Sequence, residues 1–140
     1  SHWKNLGLIE NLPKNTSEIP KIPAFNDPTA SLDLRARGYL DINCAHCHNP
    51  SGPARSSGLF LTWANTHKSS YGFFKAPIAA GRGSGNLAFD IVPGKSHESI
   101  LAYRMNSADP GIMMPELGRK LIHKEGVALI NAWIQSMETH

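Results

Sequence analysis

The chain has 140 residues, room for one domain, and its apolar fraction of 41% is enough for a modest core. Lys plus Arg is 14 against 11 for Asp plus Glu, a formal charge of +3, too small an excess for dedicated nucleic-acid binding. No uncharged run is long enough to span a membrane, and nothing in the opening residues reads as a signal peptide.

Residues 1–30 are turn-rich and carry Pro13, Pro20, Pro23 and Pro28. Proline at that density blocks helix and ladder pairing, so the segment reads as an extended arm or linker. Trp3, Leu8, Ile22 and Phe25 are its means of lying over the domain of residues 31–140. Asp27-Pro28 makes a good helix start, with Ser31 as the alternative cap. From there Leu32, Ala36, Tyr39 and Leu40 share one helical face, and the helix runs directly into Cys44.

The stretch "NCAHCHN" holds both cysteines, Cys44 and Cys47, with His48 directly after the second. Residues 49–95 are rich in Gly, Pro, Ser and Asn, and "LFLTW" (59–63) is their one plausible strand. "SHESILAYRM" (96–105) reads as a helix capped by Ser96. "NSADPGIMMPELGRK" is a loop. "KEGVALINAWIQSM" (124–137) is strongly amphipathic, with Val127, Ile130, Trp133, Ile134 and Met137 at three-and-four spacing. The expected architecture is all-α with long loops.

Two thiols and an imidazole packed this tightly admit three chemistries. A thioredoxin-like thiol oxidoreductase would set the motif after a buried parallel strand, and no Val/Ile run exists to build one. Zinc would need two further ligands, and none of the remaining histidines forms a second pair at finger-like spacing. C-x-x-C-H is also the attachment signal for c-type haem: both thiols become thioethers, and the adjacent imidazole lies under the iron. A sixth ligand is at hand in "GIMMPELG", where Met114, stiffened by Pro115, is preferred over Met113. His123 is its rival. His46, His67, His97 and His140 read as solvated.

With these elements in this order, residues 30–138 resemble a class I cytochrome c domain. The resemblance implies that fold, three to five helices around one covalent haem c, with Cys44 and Cys47 as anchors and His48 and Met114 as axial ligands. In that family a proline carbonyl often receives the ligand histidine's second N–H, which here makes Pro53 the candidate. Arg82, between glycines, is the first choice to hold the haem propionates, with Trp63 and Arg55 behind it. The family's Gly–aromatic helix crossing lacks its usual register here, so the crossing is expected to be wider, with Trp133 filling the gap.

The function so implied is one-electron transfer with both axial positions filled, not catalysis. "IVPGKSHESILAYRM" also resembles cytochrome domains at the end of longer secreted bacterial proteins, some proposed to feed copper-dependent polysaccharide monooxygenases. The Pro-rich arm suits a domain cut from such a chain. Expected partners are redox proteins, the isolated domain is expected to be monomeric, and the location periplasmic or secreted. The reading of another class is a haem peroxidase or gas sensor whose methionine is displaceable.

Overall fold

The computed structural model describes residues 2–13, 15–78 and 80–138, and His140 falls outside them. Among the described residues there are four α-helices, α1 (His2–Asn5), α2 (Leu32–Cys44), α3 (Ile100–Met105) and α4 (Lys124–Gln135), with short 3₁₀ turns between them. No strand forms among them. The two β-bridges, Phe73 with Ile91 and Phe89 with Ser99, are isolated. The chain is all-α, and no described helix is long and apolar enough to cross a membrane.

α2 starts where Ser31, in extended conformation, accepts the Leu34 N–H at 3.3 Å. Asp27 is not the cap. Its carboxylate takes the Thr29 N–H and hydroxyl instead, which holds its pKa below the usual carboxylate range and makes a turn ahead of the helix. α2 buries Ala36, Gly38 and Leu40, and α4 buries Val127, Leu129, Ile130, Trp133 and Ile134. The two helices pack on each other around a core completed by Leu61, Tyr71, Ile91, Leu101 and Met105.

The crossing is close rather than widened. Gly126 of α4 receives the Tyr39 ring of α2 so tightly that a Cβ there would collide with its hydroxyl. Here the glycine lies on α4 and the aromatic on α2, a pairing that the α2 sequence alone does not indicate. Trp133 also bridges the pair, its indole N–H donating to Asp33 at 2.8 Å. Gly126→Ala adds helix propensity worth roughly 0.5–1 kcal/mol but overpacks the crossing by about 1–3 kcal/mol. A net loss of about 1 kcal/mol is expected in urea unfolding, and it should disappear in a Tyr39→Ala background.

Three further expectations are corrected. The arm is not wholly extended: it contains α1 and a 3₁₀ turn at Thr16–Glu18. It docks through Ile22 and Phe25, while Trp3 and Leu8 are exposed. Gly38 makes that docking possible, since a Cβ there would lie 2.5 Å from the Ile22 side chain and 3.2 Å from the Pro23 carbonyl. Residues 59–63 form no strand; Phe60 and Leu61 give their N–H groups to the carbonyls of Ser70 and His48. The helix expected over 96–105 is broken at Ser99, which is fully buried and extended. Its hydroxyl donates to the Lys95 carbonyl and accepts the Val92 N–H, so α3 begins only at Ile100 and Ser96 does not cap it.

Candidate functional site

The end of α2 continues into one further turn. The Cys44 carbonyl accepts the N–H groups of Cys47 at 3.1 Å and His48 at 2.9 Å. The loop then folds back so that the Cys47 carbonyl accepts the Ala54 N–H. Gly52 permits this, because a Cβ would run into that same carbonyl. Asn49 braces the turn by donating to the Ala45 carbonyl at 2.7 Å. Cys44 and Cys47 are both free thiols and both half-buried.

The His48 ring nitrogen Nδ1 lies 3.3 Å from the Leu59 carbonyl, which can only accept, so Nδ1 carries the proton and Nε2 is left with a lone pair. Leu59, not Pro53, provides this carbonyl. Pro53 sits exposed on the loop, whereas the chain of residues 59–61 runs beside the motif and returns the Leu61 N–H to the His48 carbonyl at 2.9 Å. Burial is the largest influence on His48 and lowers its pKa. The neutral ring therefore persists as pH falls through its ordinary value of 6.5. Smaller effects come from the charges of Arg104 and Glu116, which put His48 within electrostatic reach of the Met114 loop.

Beside the motif is a cavity of about 400 Å³, within the usual range of roughly 300–1,000 Å³ for small-molecule and cofactor sites. Its walls bring together Cys44, Met105, Met114, Arg119, His123 and Val127. Met113 does not line it, nor do Cys47 and His48, which stand one turn beyond Cys44. His123 is at the mouth, stacked on Tyr39 with its Nδ1 3.0 Å from the Tyr39 hydroxyl.

The anion-holding residues expected from sequence lie elsewhere. Arg82 is exposed and pairs with Asp109 at 2.8 Å. Arg55 is exposed on its 3₁₀ turn. The Trp63 ring lies near the Arg37 guanidinium and against Gly38, under the arm. Two arginines that sequence reasoning passed over hold the Met114 loop instead, and of them Arg119 lines the cavity. Arg104 donates from Nε to the Ile112 carbonyl at 2.8 Å. Arg119 donates from Nη2 to the carbonyls of Arg104 and Ser107, at 3.2 and 2.7 Å, while its Nε is buried without a partner. Tyr71, fully buried near Cys44, also has an unpartnered hydroxyl. Nothing in their spacing marks these residues; their neighbours belong to other parts of the chain.

The thiol chemistry is one-sided. Burial, with a smaller contribution from Cys47, pushes the Cys44 thiol up to about 12. A reactive redox thiol needs the opposite shift. Among the described residues no three His, Cys, Asp or Glu side chains converge as they would around zinc.

No family model matches the chain, and neither a curated protein nor a solved structure does.

Proposed function

We propose that the chain is a one-electron carrier, a class I cytochrome c domain with one covalently attached haem c. Cys44 and Cys47 would form the thioethers, and His48 Nε2 and Met114 Sδ would be the axial ligands. One observation carries this reading: Met114 and Cys44, distant in sequence, wall the same cavity of about 400 Å³. The residues present fit the group chemically. They comprise a proton-fixed neutral imidazole, a soft thioether, two free thiols and a buried guanidinium N–H without an acceptor.

When bound, the haem supplies a one-electron couple. The chain's own residues do the rest. The Leu59 carbonyl fixes the imidazole's tautomer and orientation. Leu40, Ile130 and Ile134 are fully buried in the core on which α2 and α4 pack. Exposed Ile42, Leu117 and Leu121 give the cavity mouth an apolar surface, suited to brief docking of a redox protein. With two propionates set against the +3 of the chain, long-range steering is weak. A periplasmic or secreted location, with a copper-dependent polysaccharide monooxygenase as one acceptor, follows only from the resemblance.

The test is the visible spectrum of protein made in a host that attaches haem, oxidised and then reduced. A c-type pattern that stays with the denatured chain, together with a near-infrared sulfur-to-iron band, supports the reading. The pattern should leave the denatured chain in the Cys44→Ala/Cys47→Ala variant. Covalent haem without the sulfur band transfers the sixth position to His123 or leaves it open, the peroxidase or gas-sensor case. A colourless protein defeats the proposal.

A further inference from the structure

α3 is short, and its end leaves backbone carbonyls without helical partners. The Arg104 carbonyl lies at this end and takes the Ser107 N–H, at 3.3 Å, from the closing turn. It also accepts the Met114 N–H at 3.1 Å and the Arg119 Nη2 at 3.2 Å. The same Arg119 nitrogen reaches the Ser107 carbonyl at 2.7 Å, and the Arg104 side chain holds the Ile112 carbonyl at 2.8 Å. The loop that carries Met114 is therefore closed on both sides of the methionine onto one helix end, and Arg119 forms the closing strap. Around it, Pro115 is half-buried, and Leu117 and Leu121 are 86% and 83% exposed, so apolar packing contributes little to holding the loop. Arg119 lines the cavity, and its buried, unpartnered Nε anchors a half-buried positive charge at the wall.

We infer that Arg119 is the positioning residue for the Met114 ligand and a determinant of the reduction potential. This rests on the function proposed above. It assigns two effects to one side chain. The hydrogen bonds to the carbonyls of residues 104 and 107 oppose opening of the loop, so they raise the effective strength of the thioether against any competing ligand. The half-buried positive charge disfavours the more positive, oxidised state of the bound group, so it raises the potential. Lysine cannot reproduce the first effect fully. Both bonds leave one nitrogen, Nη2, at the end of a rigid plane whose Nε is packed into the structure, and an ammonium on a flexible four-carbon stem lacks that packed plane and orders the two carbonyls less firmly.

The experiment titrates imidazole into the oxidised holoprotein, following loss of the sulfur-to-iron band, and measures the potential in parallel. Arg119→Gln is expected to bind imidazole at least tenfold more tightly and to have a lower potential. Arg119→Lys should keep most of the potential but bind imidazole severalfold more tightly. Lys95→Gln, which removes one exposed positive charge from the Glu98 pair, is the matched control and should behave as the unaltered protein. If the unaltered protein shows the band and Arg119→Gln titrates like it, the inference is wrong. Absence of the band from the unaltered protein instead overturns the assignment of Met114. Should Arg119→Gln fail to accumulate, the Arg119→Lys titration decides alone: affinity equal to that of the unaltered protein rejects the strap.

Discussion

Met114→Ala is expected to retain haem through Cys44 and Cys47 and to lose the sulfur-to-iron band completely. The Met114 side chain lines the cavity, and alanine removes its thioether from that wall. Axial ligands set haem potentials over roughly 0.8 V, and loss of the thioether is expected to lower this one. The emptied position should also admit small exogenous ligands, which makes the variant a model of the catalytic alternative. Met113→Ala is the paired control. Met113 gives its N–H to the Asp109 carbonyl at 2.8 Å and is absent from the cavity wall, so the band should survive its removal. A band that persists in Met114→Ala and vanishes in Met113→Ala exchanges the two assignments.

The second large effect concerns stability. Trp133 is 3% exposed, meets Tyr71 and Phe73 edge-on at 6.2 and 6.1 Å, and donates to Asp33 across the helix pair. Trp133→Ala is expected to cost about 3–5 kcal/mol in urea unfolding of the holoprotein, for lost burial and the cavity left behind. That is a large fraction of the roughly 5–15 kcal/mol available to a domain of this kind. Trp133→Phe keeps an aromatic between the two rings and loses the hydrogen bond. Asp33 lies near the surface and can be rehydrated, so the cost should be about 1 kcal/mol. Equal losses in the two variants would show that the bridge to Asp33, not the aromatic packing, carries the energy.

These two residues also mark what could be read from the sequence. α4 was legible because Val127, Ile130, Trp133 and Ile134 repeat at helical spacing, and burial of such a stripe needs no knowledge of its partner. Ser31 was legible only as the alternative N-cap to Asp27, since both residue types cap helices and the choice between them is made by the turn at Thr29. The break at Ser99 was not, because the groups that hold it extended, the Val92 N–H and the Lys95 carbonyl, meet its hydroxyl only after the chain has turned. Leu59 could not be told from Pro53 as the carbonyl beside His48, for the path of a glycine- and proline-rich loop has no period to follow. Arg82 was attractive for its flanking glycines, yet Asp109 lies closer to hand. Arg104 and Arg119 carry no spacing signature, and their meaning comes from carbonyls that a sequence does not display.

The bridge from Trp133 to Asp33 joins residues 100 positions apart, and it belongs to the same helix pair as the Tyr39–Gly126 contact. Contacts of such long sequence separation carry a loop-closure cost, because the intervening chain must be gathered before they reward it. During synthesis from the N-terminus, α2 and the motif at its end emerge well before α4 exists. Over that interval Leu40 and Ala36 have no α4 to cover them, and Cys44 and Cys47 belong to an open segment in which both sulfurs can be reached. Packing of α4 on α2 then encloses Cys44 beside the cavity. The distance between α2 and α4 in the chain thus ties the shutting of the core to the far end of the sequence.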